Sequence, residues 1–403
     1  MGRALLAAPV PPRGLRRVLS RVRRRWTTLG TSWFTAAAVV VVPALARADV
    51  DHERIVQDEA YWVSTAQLTC EGDGRGAIAE SAVRGSGRVS VHPYEANLGA
   101  RAMLAAGPRY VPMVGAWIRW YLGHLNRPDE SGVAGTVYDH DYDPVTCEGA
   151  FQPHPVTGAV PKYDSTDAYA GTFLTLVAEY ARAPTADRAY LASAPVRRDL
   201  ELVADVIGAT RGPSGLSGAT PTYPAEFLMD NVEAHRGLAD YARLLGSVLG
   251  DPAGAQRRTD EAAAVARAIE ARLWEDSTAP GMYGWAADQL SPSWDVWFPD
   301  AMAQLWPVWD GLGPVERREE LWDAFVARYP DWAASTPLYG SVSVAHDPHA
   351  ATAYAAARVG DRAAVDTYLW RSEQAWAAAG RPAPWTVDDA GFRALAARAA
   401  LGG

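Results

Sequence analysis

Six short stretches of this chain carry acids, and most of them also carry Trp, Tyr or Phe. They are "HPYEAN" (92–97), "KYDSTDAY" (162–169), "EFLMDNVEAH" (226–235), "WDVWFPDAMAQ" (294–304), "VAHDPHA" (344–350) and "PWTVDDAG" (384–391). Each opens an apolar run of helical period. One Asp or Ser at such a place is an ordinary N-cap, and an acid in the first turn complements the helix dipole. Capping needs one such group per helix, yet "DSTD", "MDNVE" and "VDD" each carry two acids. Brought to one mouth, paired carboxylates serve as acid and base on a glycosidic bond. Aromatic rings with polar handles would stack on the sugars. The competing reading, caps plus solvated acids, applies to each stretch taken singly.

The elements that must position these groups are about twelve helices, over 52–68, 94–106, 109–125, 165–182, 195–209, 226–249, 254–274, 299–311, 314–329, 346–359, 361–379 and 387–401. They are of two kinds. "AGAQRRTDEAAAVARAIEARLW" (253–274) is amphipathic, with Val265, Ile269 and Leu273 on one face and charges on the other. "AYAGTFLTLVAEYA" (168–181) is apolar nearly all round, as a helix buried on both sides must be. The kinds alternate through Gly- and Pro-rich connections. Alternating outer and inner helices make a ring of hairpins, so the expected fold is all-α, an (α/α)6 toroid of six helical hairpins. A helical solenoid is the competitor, but hairpin lengths vary and no repeated signature appears. Short strand-like pieces (76–81, 87–93, 135–142, 282–288 and 338–344) precede inner helices and should form β-hairpins at the funnel end. No linker divides residues 49–403 into domains.

The alternation, with "YDSTDAYAGTFL", "FLMDNVEAHRGL" and "GMYGWAAD…WFPDAMAQLWPV", resembles the six-hairpin glycosidase superfamily over nearly all of 50–403. The resemblance implies chemistry on glycans. It makes Asp230 the first choice for the general acid, with Phe227, Leu228 and Met229 desolvating it so that it stays neutral. Asp164 and Asp167 are the candidates for base or nucleophile. Glu233, one turn after Asp230 on the same helix face, could take either role. Glu95 and Asp139 are further candidates at the substrate. Tyr94, Tyr138, Tyr163, Trp285, Trp294 and Trp297 are expected to stack on it, and His346 to hydrogen-bond it. Tyr169 and Trp306 lie inside helices and are expected in the core. A lyase or epimerase on the same ring would use His, Tyr or Arg as base, and the excess of acids favours hydrolysis. A non-catalytic glycan-binding or envelope scaffold would keep the rings and tolerate loss of any carboxylate.

Composition narrows the partners. The chain has 403 residues with 16 Trp and 17 Tyr against 7 Phe, a bias that suits a wet cleft as well as a core. Residues 1–48 hold nine Arg and no acid, then the apolar "FTAAAVVVVPAL" and a small-residue "ARA". That order is expected of a secretory signal cleaved after Ala48. An uncleaved membrane anchor is the alternative, although the apolar run is shorter than the roughly 20 residues of a span. Arg24-Arg25 loosely matches twin-arginine export. The whole chain carries −9, so without those nine Arg the remainder carries −18. A body so acidic does not suit nucleic acid. The expectation is a soluble exported monomer with a carbohydrate partner and no stable membrane span. Cys70 and Cys147 are the only cysteines, and an oxidising compartment would pair them, with two free thiols as the alternative. "HDPH" (346–349) offers two His three apart without a third ligand, so no metal is expected. No motif for a nucleotide cofactor or a serine nucleophile is present, and no cofactor is expected.

Overall fold

The computed structural model describes residues 50–82, 87–153, 158, 161–289, 291–334 and 348–402. The expected signal (1–48), the strand expected over 338–344 and the candidate His346 lie outside the described residues. The helical runs become α1 (His52–Ala66), α2 (Pro93–Ala106), α3 (Val111–Gly123), α4 (Thr166–Arg182), α5 (Arg188–Ala192), α6 (Ala194–Ala209), α7 (Leu228–Ser247) and α8 (Pro252–Leu273). They continue as α9 (Leu305–Asp310), α10 (Val315–Arg328), α11 (Ala350–Arg358), α12 (Arg362–Ser372) and α13 (Val387–Leu401).

The dry helices form the inner layer. In α4 every residue except Glu179 and Arg182 is buried, whereas α8 buries one stripe containing Val265, Ile269 and Leu273. The inner contacts close a ring: α2 packs on α4, α4 on α7, α7 on α9, α9 on α11, α11 on α13, and α13 on α2. Around it, α1 lies against α13 and α2, α8 against α7, α10 against α9 and α12 against α11. This is the expected (α/α)6 toroid.

Two departures have local causes. The helix expected over 299–311 is broken: a π turn (Trp297–Ala301) precedes α9, and Phe298 inside it is extended at φ −126°, ψ 131°. The residue before a proline avoids helical backbone, and Pro299 follows Phe298. Arg258, expected on the wet face of α8, is buried between α6 and α8, paired with Glu201, Asp205 and Glu261.

Strands are short. β1 (Val89–Val91), β2 (His140–Tyr142) and β3 (Gly149–Phe151) form an antiparallel sheet with His140 opposite both Val91 and Phe151. β4 (Trp274–Glu275) pairs with β5 (Met282–Tyr283). The stretch 76–81 makes only an isolated bridge, Gln67 to Ile78. A disulfide joins Cys70 to Cys147 across 77 residues, tying the loop after α1 to the β2–β3 turn. No helix among the described residues is long and apolar enough to cross a membrane.

Candidate functional site

The site begins where α4 and α7 cross. A Cβ on Gly171 would stand 2.5 Å from the Glu233 carbonyl oxygen, and one on Gly237 would stand 2.4 Å from the Gly171 carbonyl oxygen. Only glycine permits such an approach. It brings the first turns of the two helices, with Asp167 and Asp230, side by side.

Ser165 occupies the N-cap position of α4 with extended backbone, but its side chain makes no capping bond. Its Oγ lies 2.8 Å from Asp167 Oδ1 and 2.7 Å from Asp230 Oδ2. Asp167 also accepts from Ser217 Oγ at 2.6 Å and from the Ala168 amide at 2.9 Å. Asn231 of α7 fixes the Ser217 loop, accepting from the Ser217 amide at 2.8 Å and donating to its carbonyl at 3.0 Å. Asp167 has no exposed surface, so it cannot touch a substrate, and its place is beneath the site. Asp230 is partly exposed at the rim. Burial, then the charges of Asp167 and Asp164, push the Asp230 carboxyl well above the usual carboxylate range, while a Ser165 hydroxyl donated to the ionised form would work the other way. Burial also raises Asp167, against the donors that surround it.

Glu233 lies one turn deeper. Its Oε1 accepts from Tyr94 Oη of α2 at 2.7 Å and from Trp306 Nε1 of α9 at 2.9 Å. Burial and the charge of Asp230 hold its carboxyl well above the ordinary range. Three inner helices therefore meet at a nearly inaccessible carboxyl group. Trp306, expected in the core from its place inside a helix, is a polar contact of the site. Tyr169 is buried as expected.

Across the mouth, burial pushes Glu95 up to about 7, with Asp388 and Glu80 adding to the effect and His92 opposing it. Burial alone would lower His92, but Glu95, Asp139 and Glu80 carry it up to about 9. Glu80, His92 and Glu95 each place a ligand atom within 4.8 Å of the others. Such a set could hold a cation. The charged imidazole, 3.5 Å from Glu95 and 4.0 Å from Glu80, balances the same carboxylates without one.

A cavity of about 380 Å³ opens beside Asp164, walled by Tyr138, Lys162, Tyr163, Thr220 and Tyr223. Tyr163 stacks on Tyr138 at 5.3 Å. Asp164 is exposed here. Tyr223, 60 % exposed, leads to Phe227 at 6.2 Å, which stacks on Trp285 at 5.9 Å. These rings run from the cavity towards the first turn of α7 and so towards Asp230. Three residues expected at the substrate have little or no exposed surface. Trp297 is buried against Phe325, Tyr329 and His349 and has no free ring face. Asp139 is fully buried and takes Tyr169 Oη at 2.8 Å and Lys162 Nζ at 3.1 Å, pinning the segment ahead of α4. Tyr138 shows only 5 % of its surface and acts as backing for Tyr163. Trp294 is half-buried, with its Nε1 bonded to the Pro280 carbonyl.

Ser165, Ser217, Asn231 and Tyr223 join the site without having been expected there, and Phe227, expected to desolvate Asp230, also carries the ring series. The doubled acids of "DSTD" held the one usable signal, since they surround a serine that a cap alone does not explain. A larger cavity, about 700 Å³ among Arg127, Arg197, Arg198 and Arg257, involves α6 and α8 of the outer layer and none of these carboxyl groups.

No protein-family model matches this chain and no curated protein sequence matches it. Solved structures do. A wild-type glycosidase matches with a TM-score of 0.56 and 15% identity, covering 86% of this chain and 96% of its own. A variant of a glycosidase in complex with glucose gives 0.54 and 15%, over 87% and 96%. A rhamnosidase from Klebsiella oxytoca with rhamnose bound gives 0.51 and 14%, over 83% of this chain and 56% of that one. At such identities the likeness is one of fold alone.

Proposed function

From a toroid of that fold, we propose that this protein is an exported glycoside hydrolase that cleaves an oligo- or polysaccharide with Asp230 as general acid. The observation that carries the reading is Asp230 itself. It is partly exposed, burial and the charge of Asp167 raise its pKa well above the ordinary range, and its partner Ser165 directly follows Asp164 of the ring-lined cavity wall. A general acid must be protonated at working pH and must reach the leaving-group oxygen. Asp164, exposed in the cavity wall, is the partner carboxylate that activates water or attacks the sugar. Asp167 is too deep for either task and acts on Asp230. Glu233 holds Tyr94 and Trp306 in place. Their separation would set the stereochemistry, with about 5–5.5 Å between the two carboxyl groups giving retention and about 6.5–9.5 Å giving inversion.

Elimination or epimerisation is less well served. Tyr94 would be the base at the funnel floor, yet it donates to Glu233, and burial and the Glu233 charge push its hydroxyl well above the usual range. The deciding variant is Asp230→Asn. It is expected to keep the fold and the binding of oligosaccharide while reducing-end release falls about 10²–10⁴-fold, the usual contribution of a general acid. Full release in that variant would overturn the assignment. Binding with no release by the wild type, across a panel of bacterial and plant glycans, would leave a non-catalytic glycan-binding protein.

A further inference from the structure

Counting protons around Ser165 leads further. A serine hydroxyl offers one proton and two lone pairs, and an ionised carboxylate only accepts. Ser165 Oγ touches a carboxyl oxygen on each side, at 2.8 Å and 2.7 Å. One hydroxyl proton cannot serve both contacts, so one of the two carboxyl groups carries a proton of its own. Asp167 has two other donors, Ser217 Oγ and the Ala168 amide. The Ser217 hydroxyl lies closer to Asp167, at 2.6 Å, than to Asn231 Oδ1, at 3.1 Å, which the Ser217 amide already supplies. Those donors stabilise the ionised form at Asp167. The extra proton therefore belongs to Asp230, and the chain runs one way: Asp230 donates to Ser165, and Ser165 donates to Asp167.

We infer that Ser165 is a positioning residue that stores the catalytic proton on Asp230 and then switches its own hydrogen bond as that proton leaves. At rest the Ser165 oxygen accepts the Asp230 proton. When a leaving-group oxygen takes that place, the Asp230 O–H bond breaks and a new O–H bond forms on the leaving group. The electron pair of the glycosidic C–O bond passes to the same oxygen. Asp230 is now a carboxylate, and the Ser165 hydroxyl turns from Asp167 to donate to it. Asp167 keeps its two other donors throughout. The N-cap of α4 forgoes its usual side-chain bond for this purpose. The inference rests on Asp230 being the acid. The other titratable groups that bear on Asp230 are Asp164 and Asp167 on the α4 side, Glu233 on α7 and Tyr94 on α2.

The test compares Ser165→Ala and Ser165→Thr with the wild type by infrared titration of the protonated-carboxyl band, using Asp230→Asn to identify the signal, and by the pH dependence of kcat. If Ser165 accepts from neutral Asp230, its removal makes that form less stable. The Asp230 signal and the basic limb of kcat then move to lower pH in Ser165→Ala, while Ser165→Thr keeps the wild-type titration. The same variant should lose about 10- to 100-fold in kcat with KM little changed, the size of one hydrogen bond to a developing charge. A shift to higher pH would mean that Ser165 donates to ionised Asp230 at rest, and the inference would fall. An unmoved titration would leave Ser165 a merely structural residue and also defeat it. The infrared readout needs no turnover, so it separates this outcome from a failure of Asp230→Asn to abolish hydrolysis, which would instead remove the functional reading.

Discussion

Asp230, Glu233, Glu95 and His92 all hold protons more tightly in the folded chain than their ordinary values allow. The causes differ: burial and neighbouring carboxylates for the acids, and the attraction of Glu95, Asp139 and Glu80 for the imidazole. The sign for stability is the same. Between each group's unfolded and folded pKa the native state binds more protons, so stability falls as pH rises. For Glu95 that window runs from 4.5 to about 7 and for His92 from 6.5 to about 9. Asp230→Asn removes one such group. Its melting temperature should therefore exceed that of the wild type near about pH 8 and converge with it near about pH 2.5, below the unfolded value of 3.8, where the wild-type carboxyl is protonated in both states. Calorimetry across that range reads the difference, and a variant less stable at the higher pH would show that ionised Asp230 is well accommodated. An inactive variant that is more stable than its parent is the usual sign of a strained catalytic group.

Helices α4 and α7 carry the geometry that these residues share. Their crossing at Gly171 and Gly237 sets the distance between Ser165 and Asp230 more than any side-chain contact does. Gly171→Ala would press a methyl group into the Glu233 carbonyl. Such overpacking costs about 1–3 kcal/mol, and parting the helices would lengthen the Ser165–Asp230 bond, so kcat should fall with stability. Gly208 in α6 has nothing within 4 Å of an added Cβ. Gly208→Ala should be neutral or stabilising by up to about 1 kcal/mol from helix propensity alone, with activity unchanged. Equal losses in the two variants would mean that helix propensity, not the crossing, governs the site.

Around the whole molecule the ring must close between its last inner helix and its first. Glu59 of α1 is fully buried and pairs with Arg393 of α13, also fully buried, and with Arg381 at 2.8 and 2.9 Å. Arg393 is further held by Glu373 at 2.7 Å. Removing one partner of a buried pair strands the other charge, at a cost of about 3–5 kcal/mol. Glu59→Ala should lower the denaturation midpoint accordingly, and a change under about 1 kcal/mol would mean that Glu373 and water satisfy the arginine. The α13–α2 contact lies on the same seam, so a loosened seam should also disturb Tyr94 and the carboxyl group it holds.

The division of the helices into two layers was legible in the chain, because burial on one side or on both leaves different hydrophobic periods, whereas the short α5 was not expected. Helix starts rich in acids marked the mouth for a similar reason, since capping and the helix dipole account for one acid and not for two. The sequence determined an all-helical ring and raised the expectation that carboxyl groups and rings meet at one end of it. It could not rank them. Asp164 and Asp167 stand three residues apart in one acidic run, yet one is exposed in a cavity wall and the other fully buried. Trp306 and Trp297 sit in similar apolar surroundings along the chain, yet one donates to Glu233 and the other fills the core. Burial depends on which backbones approach, and that is fixed by glycines 66 positions apart, Gly171 and Gly237. Protonation depends in turn on which oxygens share a single hydroxyl, and only the tertiary structure places Ser165 between Asp167 and Asp230.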